Sequence, residues 1–318
     1  MSIHWYPGHM HKAQKEMQEV LPKIDLLIEV LDARIPYSSE NPMIEALRGD
    51  KPCIKLLSKS DLADPAMTAQ WQAHFESQKN VKTLAITTEQ PSIAKQIPDL
   101  CRKLCPHVEG QHKTLQTMIV GIPNVGKSTL INTLAGKVIA KVGNEPAVTK
   151  SQQRINLGNG IMLCDTPGIL WPKIENFHGS YRLAATGAIR DTAMEYEDVA
   201  FYLVDYLALA YPERLMARYQ LKEMPPTEIE RMEAIGIARA CRARGGRVDL
   251  FKASEALLQD VRSGKLGRIT FESPEMIARE EIAVDEKKAA KAAKEEARKK
   301  ARVPQRQRDK QARDNKDH

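Results

Sequence analysis

The chain has 318 residues, enough for about two domains and a sizeable core, and its 42% hydrophobic and 28% charged composition is that of a soluble globular protein. No run reaches membrane-spanning length and residues 1–20 lack the apolar segment of a secretory signal, so a cytoplasmic protein with no membrane partner is expected. The formal charge of +7 is uneven: residues 285–318 hold 13 Lys/Arg against 7 Asp/Glu, which leaves the rest nearly neutral and points to a polyanionic partner.

The chain opens with Trp5-Tyr6-Pro7-Gly8-His9-Met10-His11-Lys12. Taken alone, this reads as an arm packed by its aromatics, with solvated histidines. Residues 24–31, 52–57 and 81–86 read as buried strands. They end in Asp32-Ala33-Arg34-Ile35-Pro36, Ser58-Lys59-Ser60-Asp61 and Thr87-Thr88. Residues 64–79 read as a helix with Asp64 as N-cap before Pro65. A helix carrying Ile93, Ile97, Leu100 and Leu104 follows the third strand. Five scattered cysteines, an odd number, suit a reducing cytosol; Cys101 and Cys105 lie one helical turn apart without zinc spacing and read as packing residues.

A strand at 117–120 then runs into Gly121-Ile122-Pro123-Asn124-Val125-Gly126-Lys127-Ser128, and 128–134 reads as a helix. The stretch fits G-x-x-x-x-G-K-[ST]. Strand, glycine loop and helix in that order turn successive backbone N–H groups onto phosphate. Val125, Gly126 and Thr129 belong to this cradle. Lys127 is expected at the β- and γ-phosphates and the Ser128 hydroxyl on Mg²⁺. Two more strands, near 153–157 and 160–165, lead to Asp165-Thr166-Pro167-Gly168. There Asp165 is expected to hold Mg²⁺ through water, and Gly168 to bring a backbone N–H to the γ-phosphate. Thr149, between the two motifs, is the candidate switch threonine for Mg²⁺ and γ-phosphate.

Strands alternating with helices predict an α/β sheet flanked by helices, with ligands at the carboxyl ends of the strands. Beyond Trp171 the pattern becomes helical. Val199, Leu203 and Leu207 recur at helical spacing. Thr227 to Glu230 is a capping box opening a helix expected to reach about Arg244 and stop at Gly245-Gly246. Leu250, Ser254, Leu257, Leu258 and Val261 line another. Past Ala283 almost no apolar residue remains, so a frayed helix or disorder is expected.

Guanine-reading loops of P-loop GTPases usually carry [NT]-K-x-D downstream of D-x-x-G, but no such match follows Gly168. The nearest is upstream, Ser58-Lys59-Ser60-Asp61, with 85–89 where a second base loop belongs. The order is therefore rotated: base loop, second base loop, phosphate loop, switch threonine, D-x-x-G. A sheet tolerates such rotation because only the chain ends move. Asp61 is expected to accept from guanine N1–H and the exocyclic amine, which disfavours adenine. The Lys59 stem covers the base; Ser58 departs from the usual Asn and is shorter, which implies a looser pocket.

This order, with W-Y-P-G-H-M and D-A-R-I-P, resembles the circularly permuted GTPases, and best the bacterial ribosome biogenesis GTPase A family, over residues 1 to about 282. The resemblance implies a cytoplasmic GTPase, monomeric, that binds GTP/GDP and Mg²⁺. It further implies that the protein assists late assembly of the large (50S) ribosomal subunit on precursor particles and their rRNA. The expected division is a permuted GTPase domain at 1–178, a small all-helical RNA/ribosome-binding domain at 179–282, and, outside the resemblance, a basic, disordered tail at 283–318. Asn124 sits where related potassium-stimulated GTPases place an Asn that helps hold K⁺. Ile169, after D-x-x-G, cannot orient water by hydrogen bonding; the resemblance offers His9 instead, with His11 and His4 as competitors. An RNA-binding scaffold with nucleotide as a structural ligand, or another P-loop ATPase or kinase, are the alternatives.

Overall fold

The computed structural model describes the backbone of residues 8–109, 113–140, 153–157, 160–171, 174–189 and 191–314, and side chains within those ranges from Gln14 to Arg298, Glu109 excepted. Near-continuous aliphatic runs make the central strands, which bury both faces. Six pair into one sheet: β1 (Leu26–Asp32), β2 (Cys53–Ser58), β3 (Val81–Ala85), β4 (Leu115–Gly121), β5 (Gln153–Asn156) and β6 (Ile161–Asp165). Their spatial order is β3-β2-β1-β4-β6-β5. Neighbours are parallel except β5, which runs antiparallel to β6. All six fall where the sequence places strands, and the rotated order holds.

Register decides where the motifs meet. Asp32 lies opposite Ser58, Leu57 opposite Ala85, Val30 opposite Gly121 and Ile119 opposite Asp165. Every motif-bearing strand end therefore lies along one edge. The chain steps outward from β1 to β3, then returns to place β4 on the other side of β1. The loops after β1 and β4 diverge at that switch point, which is where open α/β sheets hold ligands.

The helices accompanying the sheet are α1 (Gly8–Val20), α2 (Pro42–Arg48), α3 (Pro65–Glu76), α4 (Pro91–Ala94), α5 (Ile97–Leu104), α6 (Pro106–Glu109) and α7 (Lys127–Ala135). Asp64 caps α3 as expected, accepting from Ala66 N at 2.9 Å. The helix expected to carry Ile93 through Leu104 is two pieces, because Pro98 has no N–H with which to continue a helix and instead starts α5.

A bundle follows: α8 (Phe177–Ala185), α9 (Tyr196–Ala210), α10 (Pro212–Tyr219), α11 (Glu228–Ala238) and α12 (Leu250–Arg262), gathered on α9 through buried Val199, Leu203, Val204 and Leu207. The capping box is formed, with Glu230 N donating to Thr227 Oγ1 and Thr227 N to Glu230 Oε2. The helix it opens ends at Ala238, short of Arg244. Ala240 takes a left-handed turn at φ 56°, and Gly245 and Gly246 turn a hairpin rather than cap a helix. A return segment then runs back over the loops that follow β1 and β2. Ile269 N donates to Leu62 O and Phe271 N to Arg34 O, both at 2.8 Å. Buried Glu272 accepts from Ser38 N at 2.9 Å and pairs with Arg182 at 3.4 Å.

The chain up to Pro274 is one compact unit and the chain from Glu275 is a second. The second is helix α13 (Pro274–Asp314). Of the two expectations for this stretch, frayed helix and disorder, the backbone follows the helix. Its Ala, Lys, Glu and Arg are strong helix formers, and i,i+4 pairing of Glu275 with Arg279 adds a little.

Two ionisable side chains, Glu29 and Lys55, are buried mid-sheet. Glu29 on β1 is 2% exposed and accepts from Asn41 N at 3.2 Å. Across from it Lys55 is paired with Glu40 and lies 4.3 Å from the centroid of Phe75. Burial, then Glu40, pushes the Glu29 carboxyl up to about 8, with Lys55 pulling the other way. Unfolded, it ionises near 4.5. The folded chain thus holds an extra proton between those values, and stability falls as pH rises through that window. Glu29→Gln keeps an acceptor for Asn41 and removes the titration. Its loss of stability from pH 6 to pH 8 is expected to be smaller than that of the wild type, by up to ~1.4 kcal/mol per pH unit. Urea unfolding at the two pH values checks this; equal losses would assign the proton to another group.

Candidate nucleotide-binding site

A cleft of about 1280 Å³ opens along that sheet edge. Ser58, Lys59, Asp61, Thr87, Thr88, Asn124, Val125, Gly126, Lys127, Ser128, Thr129 and Gly168 all line it. So do Arg34 and, from the helical bundle, Thr186, Gly187, Tyr196, Gln259 and Arg262, none of which sequence reasoning selected. Ser60 stands behind the wall: its N and Oγ both donate to Ile86 O, at 3.2 and 3.0 Å, which ties the loop after β2 to that after β3.

The phosphate loop has the shape its glycines allow. Gly121 has φ 152°, and a Cβ there would stand 2.5 Å from Val30 O. Gly126, at φ 101°, turns the chain into α7, whose first N–H groups have no intrahelical partner. Gly168 packs on this loop; a Cβ there would meet Pro123 Cα at 2.9 Å and Lys127 Nζ at 3.1 Å. Only a bare backbone fits between the two motifs.

Lys127 is 7% exposed, and its ammonium donates to Gly121 O and Ile122 O, each at 2.8 Å. Burial lowers its pKa and Asp165 pulls it back up; burial raises Asp165, and Lys127 opposes that. Both carboxylate oxygens of Asp165 are buried without a hydrogen-bond partner. An orphaned buried carboxylate that feels the Lys127 charge, with the Ser128 hydroxyl following that lysine in α7, is the kind of oxygen donor set a hard divalent cation takes. The residues therefore fit Mg²⁺ with phosphate.

At the other end, Asp61 is half-buried and, among the described residues, no hydrogen bond occupies its carboxylate. Lys59 has φ 56°, and its Nζ lies 2.8 Å from Asp32 Oδ2. Arg34 grips the same carboxylate with Nε and Nη2 at 2.9 and 2.7 Å. Burial alone would raise Asp32, but Arg34 and then Lys59 outweigh it and hold it well below the usual carboxylate range. D-A-R is thus a buried clasp that fixes Lys59 beside the cleft. Ser58 is buried too; its hydroxyl lies 2.8 Å from Leu31 O and 2.6 Å from Val125 O, so it tethers β2 to the phosphate loop.

Asn124, at φ 57°, donates from Nδ2 to Gly187 O at 2.8 Å, a direct tie from the phosphate loop to the bundle. Ile169 is 2% exposed, and its carbonyl accepts from Asn41 Nδ2 at 3.2 Å. Its side chain is core and does not face the cleft. His9 lies in α1, but its side chain is outside the described residues, as are His4, His11 and the whole of Thr149. Among the described residues no cluster of three or more His, Cys, Asp or Glu could hold a metal unaided. Nor, among them, is any helix long and apolar enough to cross a membrane.

A family model described as "50S ribosome-binding GTPase" matches residues 116–235. "Ribosome biogenesis GTPase A" of Bacillus pumilus is 46% identical over 282 residues, covering 86% of this chain and all of that one. The protein of the same name in Thermotoga maritima is 33% identical over 274 residues, covering 86% and 95%. The crystal structure of GNP-bound YlqF from T. maritima superposes with a TM-score of 0.61 at 27% identity, covering 83% of this chain and 99% of that one.

Proposed function

The chain belongs to the ribosome biogenesis GTPase A family, and on that premise we propose how its residues carry the activity. It is a GTPase, hydrolysing GTP to GDP and phosphate, and an assembly factor for the large ribosomal subunit. The observation that supports this most is the shared cleft: Asp61, the phosphate loop and Gly168 come from three different strand ends and line one space.

Asp61 accepts from the guanine N1–H and amine, Lys59 lies along the base, and Thr87 and Thr88 close its other side. The N–H groups of Asn124 through Thr129 hold phosphate at the start of α7. Lys127 exchanges its two loop carbonyls for the β- and γ-phosphates. Ser128 and Asp165, the latter through water, would hold Mg²⁺, joined by Thr149, and the ion would supply positive charge against that developing on the phosphate oxygens. Gly168 presents its N–H to the γ-phosphate. Asn124, whose amide nitrogen donates to Gly187 O, would help hold K⁺ there.

With Ile169 in the core, another group has to orient the attacking water. His9 does so, brought to the γ-phosphate when the ribosomal partner binds. The protein acts in the cytoplasm as a monomer on precursor particles and their rRNA. Residues 1–178 carry catalysis, 179–282 contact the ribosome, and 283–318 add positive charge. GTP turnover with and without large subunits tests this. The wild type should be stimulated, by K⁺ more than Na⁺, and His9→Ala should keep GTP binding but lose ~10²-fold or more of the stimulated rate. Full stimulation of His9→Ala would shift the role to His11 or to the partner.

A further inference from the structure

Between α11 and α12 the sequence reads Arg239-Ala240-Cys241-Arg242-Ala243-Arg244-Gly245-Gly246-Arg247, four arginines in nine residues with no acid among them. It folds as a tight hairpin. Ala243 N donates to Arg247 O and Asp249 N to Cys241 O, both at 2.9 Å, and Arg242 bridges Val248. Gly245 and Gly246, at φ 86° and 80°, reverse the chain.

The hairpin is seated rather than loose. Cys241 is buried, and its N–H donates to Gly236 O on α11 at 2.8 Å. Val248 packs over Gly236 so closely that a Cβ there would lie 2.2 Å from Val248 Cγ1. Asp249 caps α12 by accepting from Lys252 N at 3.1 Å.

Its charges are unspent. Arg242, Arg244 and Arg247 are exposed and, among the described residues, make no ion pair or side-chain hydrogen bond. The nearby arginines differ: buried Asp260 takes Arg218 at 2.9 and 3.1 Å and approaches Arg239 at 3.8 Å. The only nearby carboxylate in the hairpin strand, Asp249, is paired with Lys252 at 3.3 Å.

We infer that the hairpin Cys241–Asp249 is a phosphate clamp that grips the RNA backbone of the ribosomal partner. This rests on the large subunit being that partner. Three forked guanidiniums on a rigid turn suit phosphate oxygens. A protein partner is disfavoured at the turn itself, which exposes only Ala243 and glycines beside its arginines; the exposed Ile237 and Phe251 lie on the flanking helices α11 and α12. Phosphate contacts fix register without reading sequence.

The test uses the full chain and Arg242→Gln/Arg244→Gln/Arg247→Gln, with the triple Lys variant beside it. Binding to purified large subunits and to a generic duplex RNA is followed across a salt series. The Gln variant should bind both ~10–100-fold more weakly, and its slope of log affinity against log salt should be shallower by about 2–3, at ~0.7–0.9 per lost phosphate. The Lys variant should keep the slope. Basal GTP turnover and melting temperature should not change. An unchanged slope for the Gln variant overturns the clamp, as does a loss of subunit binding with duplex RNA binding intact. Wild-type protein that binds duplex RNA through these arginines yet ignores subunits upholds the clamp and sinks the ribosomal reading.

Discussion

Lys127→Ala should lower GTP turnover by at least ~10²-fold, the scale seen when one donor aimed at developing charge is removed. The ammonium is the only cation that both touches the phosphate loop and faces buried Asp165 among the described residues. Its removal takes positive charge from the transferring phosphoryl group and leaves the Asp165 carboxylate buried without a counter-charge. The second effect raises the Asp165 pKa further and weakens its hold on Mg²⁺ through water. Turnover and Mg²⁺-dependent GDP affinity should therefore fall together, while circular dichroism stays that of the wild type. Undiminished hydrolysis by the purified variant would remove the phosphate loop from the mechanism.

Asp61→Asn should exchange base preference. The carboxylate offers two acceptors to the N1–H and amine of guanine, and no hydrogen bond within the described residues competes for it. An amide presents a donor to one of those two donors. Losing one charge-assisted bond and leaving another group unpaired costs about 3–4 kcal/mol, or roughly 10²–10³-fold in GDP affinity. Xanthine, whose edge carries an acceptor where guanine has the amine, should bind the variant better than GDP does. Titration with fluorescent GDP, XDP and ADP reads all three. Wild-type protein that binds ADP as tightly as GDP would refute the assignment of Ser58–Asp61 as the base loop.

The sheet and the cleft were legible because their signals are local. An aliphatic run followed by a polar or glycine-rich stretch marks both a strand and the ligand edge of a parallel sheet. Asp61, Thr87, Lys127 and Gly168 could be placed together from strand order alone. What sequence did not disclose depends on distant partners. Arg34 and Asp32 carried only a family likeness until the structure closed them on Lys59. Ser58 invited comparison with Asn as a base contact, yet its hydroxyl is held by carbonyls of β1 and the phosphate loop. The Asn124–Gly187 tie joins residues 63 apart, and the Ser38–Glu272 bond spans 234. The end of α11 was misplaced for a local reason: Ala240 adopts a left-handed conformation that glycine more often takes, and the true Gly-Gly pair turns a hairpin instead.

Strand order also dictates a timetable during synthesis. β1, β2 and β3 leave the ribosome first and can pair with one another at once. The opposite edge of β1 has to wait for β4, roughly 80 residues later, which at 5–20 residues per second is roughly 4–16 s. For that interval a central, largely aliphatic strand presents open backbone N–H and C=O groups to its surroundings, the exposure that folded sheets avoid at their edges. The half that carries the loops after β2 and β3 is therefore complete before the phosphate loop exists, and the cleft cannot form until β4 and α7 have emerged. An unpermuted sheet of the same strands would make its phosphate loop first. In this chain, guanine nucleotide can help only the folding that follows α7, and the open edge of β1 is the place where a chaperone would have to act before it.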